Sequence, residues 1–347
     1  MSYRLGHPPL SSAGYAWLST LSNPDMEYPI AGEMRSHDEI AWLAEAASAH
    51  GVLPVFTRNL RKCLTTFGPA SILLGPQAEE TISSALCDLD DRLTLITGQS
   101  LLLTHYQRQI SLAIENNGLE AAVIKGPVFA RCLYEKHSDR SFTDIDILVD
   151  PRSLQATIEL VRGLGFVEGA NLTRQRKAQS EFKWVVPGND SILIEIQTNL
   201  IHSADANRGI RLKYADLLAA GDGNPEDATA LLLVAAVHGL AGHQLERLQP
   251  AVDVLQAVRG KGGLVDESRL LDIASALGAT KALQTALDVV AAIFTEQRAA
   301  DLADLLAPCS WRRLRARLLT PMIVLRSQAS NAGRDSWRRR MIRKIVN

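Results

Sequence analysis

The chain has 347 residues, of which 46% are hydrophobic, 5% aromatic and 22% charged. The formal net charge of −1 excludes a strong overall attraction to nucleic acid, membrane surfaces or acidic substrates. No apolar run reaches the roughly 20 residues of a membrane span, and the N-terminus does not resemble a signal peptide. The four cysteines lack metal-site spacing and fit reduced thiols, so we expect a cytoplasmic protein.

The first third of the chain predicts helices. Ser36 and Glu39 have the spacing of a capping box, which predicts a helix that ends at Gly51. Apolar residues recur at helical spacing from Gln77 to Asn117 and predict one long helix or two in series. Residues 1–117 are therefore expected to form an N-terminal helical region.

Residues 118–215 predict a small mixed sheet of about four strands with helices between them. Four apolar runs have strand length: 121–125, 142–149, 182–186 and 191–197. The last two flank the turn sequence Pro187–Asp190 and predict an antiparallel pair. The expected fold class is α+β, with this core between helical regions.

Residues 216–347 predict a C-terminal helical region, and we expect substrate to bind between it and the sheet. His238 and His243 are five apart on one predicted helix, so their side chains should point about 140° apart. We expect one to be buried and the other exposed, with no shared metal. An arginine-rich end is expected to be helical and solvated, and its few aromatic residues do not favour nucleic-acid binding: Arg312, Arg313, Arg315, Arg317, Arg338, Arg339, Arg340, Arg343 and Lys344.

The most informative segment is Phe142–Val149, where polar and apolar residues alternate. In a strand this alternation places Asp144 and Asp146 on one face. Two neighbouring carboxylates repel each other unless a cation joins them, and their oxygens suit Mg²⁺ or Mn²⁺. A D-x-D pattern alone also fits two solvated aspartates at the end of a strand.

A later strand carries Glu195 on the face opposite Ile194 and Ile196. A neighbouring register would bring this third carboxylate onto the face of Asp144 and Asp146. Three carboxylates can hold two Mg²⁺ ions, about 4 Å apart, for in-line displacement at the α-phosphorus of a nucleotide.

Lys125 and Gly126 lie between a predicted strand and a predicted helix. Such a turn lets backbone N–H groups approach phosphate, with the lysine as a positive charge, although it also fits an ordinary strand-to-helix connection. Arg140, four residues before Asp144, can either neutralise phosphate or stabilise Asp144.

These residues resemble the uncharacterised nucleotidyltransferase family of the DNA polymerase β-like superfamily, most strongly over residues 120–200. The resemblance lies in Ile124–Gly126, Leu133–Tyr134, Arg140, Thr143–Val149, Gly165–Phe166 and Ile194–Ile196, with flanking similarity at Val52–Phe56, His238, Leu248 and Asp253. It implies that Asp144 and Asp146 bind metal, that Glu195 is the third carboxylate, and that Lys125 and Gly126 replace the Gly-Ser turn of the superfamily. Gln197 and Asn199 stand where relatives often have histidine and an aromatic residue.

The resemblance implies transfer of a nucleotidyl group from an NTP to an acceptor, which can be a small molecule, a peptide or a protein. Phosphoryl transfer by the same site is one alternative, because metal and phosphate ligands do not decide which phosphorus is attacked. A non-catalytic nucleotide-binding or scaffold protein that kept the fold is the other.

Overall fold

The computed structural model describes residues 10–26, 37–68, 78–169, 181–201, 209–306, 312–326 and 341–342. Within these ranges helices surround a five-stranded mixed sheet, which confirms the predicted α+β fold. No helix in the described ranges is both long enough and apolar enough to cross a membrane. Cys63, Cys87 and Cys132 are free thiols, and Cys309 lies outside the described residues.

The N-terminal helices are α1 (Ser12–Leu21), α2 (His37–Ala49), α3 (Leu53–Phe67) and α4 (Ala78–Asn116). Helix α1 begins where the Ser11 hydroxyl accepts a 2.9 Å hydrogen bond from the Gly14 N–H. Of the two arrangements expected for α4, the structure has one uninterrupted 39-residue helix, which continues through Gly98. The predicted capping-box residue Ser36 lies outside the described residues, while α2 itself and the positive φ of 75° at Gly51 agree with the prediction.

The sheet contains β1 (Ala121–Ile124), β2 (Asp144–Val149), β3 (Val167–Glu168), β4 (Glu181–Val186) and β5 (Asn189–Gln197). Their order is β1-β2-β5-β4-β3, with β2 and β5 parallel and all other neighbours antiparallel. The predicted β4–β5 pair is confirmed. The sequence missed β3, because two residues are too few for an alternating pattern.

Helices α5 (Gly126–Leu133) and α6 (Leu154–Gly163) follow β1 and β2. The C-terminal helices are α7 (Tyr214–Ala220), α8 (Ala228–Val237), α9 (Leu248–Val258), α10 (Glu267–Ala276), α11 (Thr280–Phe294), α12 (Gln297–Leu305), α13 (Arg312–Leu318) and α14 (Pro321–Arg326). All ten residues of α8 are buried, because its sequence is apolar on every side. This helix packs against α7, α9, α10 and α11.

The arginine-rich end was predicted to be helical and solvated. The helix is confirmed over 312–318, but the solvation is wrong for two of its residues. Arg315 is buried and donates a hydrogen bond to the Gln284 side chain, and Arg312 forms ion pairs with Asp288 at 2.7 Å and Asp304 at 2.6 Å. These partners lie on α11 and α12, between 8 and 31 residues before the arginines. Arg338, Arg339, Arg340, Arg343 and Lys344 lie outside the described residues.

Candidate active site

The parallel pairing of β2 and β5 places three acidic side chains on one face of the sheet. The register sets Asp146 beside Glu195 and Asp144 beside Leu193. Directly paired residues share a face of the sheet, and residues two apart on a strand do as well. Glu195 therefore lies on the face of both aspartates, in the register that the sequence suggested.

Asp146 is a buried carboxylate that is held by a lysine and an amide. Only 4% of the residue is exposed. Its Oδ1 lies 2.9 Å from Lys125 Nζ and accepts a 2.9 Å hydrogen bond from the side-chain amide of Gln197. Gln197 lies two residues beyond Glu195 on β5, so the strand pairing explains its position. Gln197 thus holds one of the candidate metal ligands.

The pKa of Asp144 is raised to about 6, and burial is the largest cause. The negative charges of Asp146 and Glu195 also raise the pKa of Asp144. The positive charges of Lys125 and Arg140 oppose this effect. The raised pKa therefore reflects burial first and the repulsion from the two neighbouring carboxylates second. A divalent cation between the carboxylates would relieve that repulsion.

Glu195 has a partner of its own in the next strand. The antiparallel register of β4 and β5 sets Lys183 directly beside Glu195, and Lys183 Nζ lies 2.5 Å from Glu195 Oε1. A row of side chains therefore crosses three strands, from Asp146 through Glu195 to Lys183. Asp146 and Glu195 are paired across adjacent strands and repel each other, and the positive charge of Lys183 offsets part of this repulsion.

The donor set of Asp144 and Asp146 fits Mg²⁺ or Mn²⁺, because both cations prefer carboxylate oxygen. No three histidine, cysteine, aspartate or glutamate side chains within the described ranges are grouped so that they could hold a metal ion. In this arrangement a cation would take protein ligands from the two aspartates. Water and substrate phosphate would complete its shell, as is usual for Mg²⁺.

The turn between β1 and α5 has an unusual backbone. Lys125 has φ 56° and ψ −142°, a conformation that non-glycine residues rarely adopt, and Gly126 follows with φ 31°. A Cβ at Gly126 would lie 3.2 Å from the backbone oxygen of Asp144, so the glycine allows the turn to approach β2. Strained residues of this kind are concentrated at functional sites. Lys125 directly precedes α5, and from this turn its side chain reaches Asp146.

Arg140 binds Asp253 on α9. Its Nε and one terminal nitrogen donate to the two carboxylate oxygens at 2.8 and 2.9 Å, and its other terminal nitrogen donates to the Gly126 carbonyl at 3.0 Å. The Tyr134 hydroxyl also donates to Asp253, at 2.7 Å. Sequence reasoning left Arg140 open between phosphate and Asp144. In the structure its three nitrogens hold the C-terminal helices to the Lys125–Gly126 turn.

His238 and His243 contradict the predicted 140° separation, because their ring centroids are only 4.5 Å apart. Residues His238–Gly242 form a π-helical turn that extends α8, and the His243 N–H donates to the His238 carbonyl at 3.2 Å. A π turn places residues five apart above one another, whereas the prediction assumed an α-helix. His238 is half-buried and His243 is exposed. His238 Nε2 lies 3.3 Å from Lys125 Nζ, so the turn reaches the acidic face.

Sequence reasoning assigned no role at the site to four of these residues: Lys183, Gln197, His238 and Asp253. The first two follow from strand register once β5 is placed beside both β2 and β4. Asp253 lies 113 residues from Arg140, and His238 lies 113 residues from Lys125, so no local pattern predicted either contact.

No curated protein matched the chain, and no solved structure matched it. A family model did match, with the description "Uncharacterised nucleotidyltransferase", over residues 36–295. This match covers most of the chain, including α2–α11 and the whole sheet. The chain therefore belongs to the uncharacterised nucleotidyltransferase family.

Proposed function

We propose that the protein transfers a nucleotidyl group from an NTP to an acceptor in a reaction that depends on Mg²⁺ or Mn²⁺. The acceptor is a small molecule, a peptide or a protein. The observation that carries the proposal is the joint placement of Asp144 and Asp146 on one face of β2, with Lys125 within 2.9 Å of Asp146. Family membership supports nucleotidyl transfer as the general reaction.

Asp144 and Asp146 would hold the cation by their carboxylate oxygens. When bound, Mg²⁺ neutralises phosphate charge and favours in-line displacement at the α-phosphorus. Lys125 and the N–H groups that open α5 would bind the phosphates, because an ammonium ion and a helix N-terminus both attract anions. Gln197 would keep the Asp146 carboxylate in one orientation through its 2.9 Å hydrogen bond. Glu195 is the third acidic group of the face and lies nearest to Lys183.

A second candidate is a nucleotide-binding protein without turnover. The pairs Lys125–Asp146 and Lys183–Glu195 favour it, because each lysine already supplies a positive charge where a metal ion would act. The two functions differ in whether a cation replaces the lysine at Asp146. They can be separated by metal binding and by product analysis.

The test uses NTPs labelled at the α- or γ-phosphorus, incubated with the purified protein, Mg²⁺ and cell extract. Label retained from the α-position on an acceptor means nucleotidyl transfer, and label retained from the γ-position means phosphoryl transfer. Asp146→Asn should abolish retention, whereas the matched control Asp190→Asn, at the exposed start of β5, should not. Binding of Mg²⁺–NTP without retention of either label would favour the non-catalytic candidate.

A further inference from the structure

The Lys125 ammonium lies between two groups. It is 2.9 Å from Asp146 Oδ1 and 3.3 Å from His238 Nε2. An ammonium has donors and no acceptor, so the contact with His238 requires a lone pair on Nε2. In this state the neutral imidazole carries its proton on Nδ1, an atom shielded from solvent. One lysine therefore joins the metal-binding face to the C-terminal helices.

His238 continues α8, since its N–H donates to the Val234 carbonyl, and the π turn begins at this residue. Besides the bond from His243, the Leu245 N–H donates to the Gly239 carbonyl at 2.8 Å. A Cβ at Gly242 would lie 3.3 Å from His238 Nδ1, so the glycine leaves little more than the room that the ring needs. A π turn is rare and occurs mostly as a single turn at functional sites. Here it packs His243 and Gly242 against the His238 ring, which reaches Lys125 from the end of α8.

We propose that His238 is a phosphate-binding residue of the nucleotide site, kept in place by Lys125 until substrate arrives. The inference rests on the proposed function, in which Lys125 binds the β- or γ-phosphate of an NTP. A phosphate oxygen that attracts the ammonium would draw it away from Nε2. Nε2, which the ammonium has left, could then take a proton from water while Nδ1 releases its own, so that Nε2 donates a hydrogen bond to the same phosphate group.

Two geometric features support a phosphate site at Lys125 and His238. The first is that Lys125 and His238 come from opposite sides, from the β1–α5 turn and from the end of α8, so a phosphate between them would be held by both regions. The second is that Arg140 joins the Gly126 carbonyl to Asp253 on α9, and α9 packs against α8. A phosphate entering beside Lys125 would therefore meet His238 at a constrained distance.

The first test observes the ring directly. The full-length protein labelled with ¹⁵N-histidine is studied by long-range ¹H–¹⁵N NMR, and the His238 signals are assigned by their loss in His238→Gln. We expect Nε2 to be unprotonated in the free protein. With Mg²⁺ and a bound α,β-methylene analogue of one of the four common NTPs, we expect it to become protonated, and the corresponding monophosphate should not cause this change. A protonated Nε2 in the free protein, or no change at calorimetric saturation, would overturn the proposal.

The second test measures affinity by calorimetry with the same analogue. His238→Ala should weaken binding by at least about tenfold, the effect of losing a hydrogen bond to a charged group, with little change for the monophosphate. His238→Gln should restore most of the affinity, because the glutamine amide nitrogen can occupy the place of Nε2. The control His105→Ala, at an exposed ring on α4, should bind normally. Equal loss for both phosphates, or no rescue by glutamine, would make His238 a structural residue.

The outcomes also separate this inference from the proposed function. If wild-type protein binds none of the four analogues with Mg²⁺, the proposed function fails and the role of His238 fails with it. If an analogue binds and responds to Asp146→Asn but leaves the His238 signals unchanged, the proposed function stands and only the role of His238 is wrong.

Discussion

Two buried aspartates, Asp146 in the sheet and Asp253 on α9, are both 4% exposed but have different partners. Asp253 accepts three hydrogen bonds, two from a guanidinium that stays charged at any accessible pH and one from Tyr134. Asp146 is held by a flexible lysine and an amide. The rigid, saturated pair is suited to joining helices, whereas an ammonium on a flexible chain can leave its carboxylate when a cation or a phosphate arrives.

The largest expected effect is the loss of the rigid pair. Asp253→Ala would leave the buried Arg140 guanidinium without its counterion, and removing one partner of a buried pair costs about 3 to 5 kcal/mol. Urea unfolding should show this decrease in the free energy of unfolding. The control is Glu267→Ala, which removes an ion pair with Arg298 that is half-exposed on both sides and contributes about 0 to 1 kcal/mol. Similar losses for the two variants would show that Asp253 has no special structural role.

His50, at the end of α2, forms a second rigid joint. Its Nδ1 accepts from the Leu248 N–H at 3.1 Å, and its Nε2 donates to the Leu325 carbonyl at 3.0 Å. Burial lowers the pKa of His50 from 6.5 to about 4, and nearby Arg247 lowers it as well. A proton on Nδ1 would face the Leu248 N–H, so the folded protein keeps this ring neutral.

The pH dependence follows from that shift. Between about pH 6.5 and pH 4 the unfolded chain binds a proton at His50 that the folded chain does not. This stabilisation is complete above pH 6.5, falls as the pH decreases, and amounts to about 3 kcal/mol for a shift of this size. Urea unfolding across this range should show a shallower slope for His50→Gln than for wild type. An unchanged slope would mean that His50 is protonated in the folded state or solvated.

The structure also shows which contacts a sequence can predict. The alternation in β2 and the turn between β4 and β5 placed Asp144, Asp146 and Glu195 on one face, because strand geometry has a fixed period of two. Gln197 and Lys183 required the strand order as well, which local patterns do not contain. The contact of His238 with Lys125 joins residues 113 apart, and its contact with His243 depends on a π turn that nothing in the sequence indicated. The Arg140–Asp253 pair depends on how α9 packs beside the Lys125–Gly126 turn, a tertiary feature.

Because Lys125 can leave Asp146 when a ligand arrives, we expect the stability of the protein to depend on Mg²⁺ and NTP. Mg²⁺ with NTP should raise the melting temperature of the wild-type protein, since a ligand at about 100 times its Kd adds about 2.7 kcal/mol of stability. Asp146→Asn should abolish this rise, measured by differential scanning fluorimetry, because the amide lacks the charge that holds the cation. Asp190→Asn is the control and should respond like wild type. An undiminished rise in Asp146→Asn would place the nucleotide elsewhere.

The smallest effect on stability is expected at Glu195, which has the more exposed of the two lysine pairs on this face. Glu195→Gln keeps the shape of the side chain and removes its charge. The amide oxygen can still accept a hydrogen bond from Lys183, so only the charge of the pair is lost, a change of about 1 kcal/mol. The substitution also removes one of the charges that raise the pKa of Asp144, which offsets part of that change.

The same variant has a large expected effect on turnover. If Glu195 acts on the acceptor, nucleotide affinity measured by calorimetry should stay nearly constant while transfer of α-label falls by orders of magnitude. Lys183→Met is the informative companion, because it frees the Glu195 carboxylate without removing it. Transfer that survives in Lys183→Met and disappears in Glu195→Gln would assign the chemistry to the carboxylate and a restraining role to the lysine. Equal transfer by wild type and Glu195→Gln would leave Asp144 and Asp146 as the only acidic groups that the reaction needs.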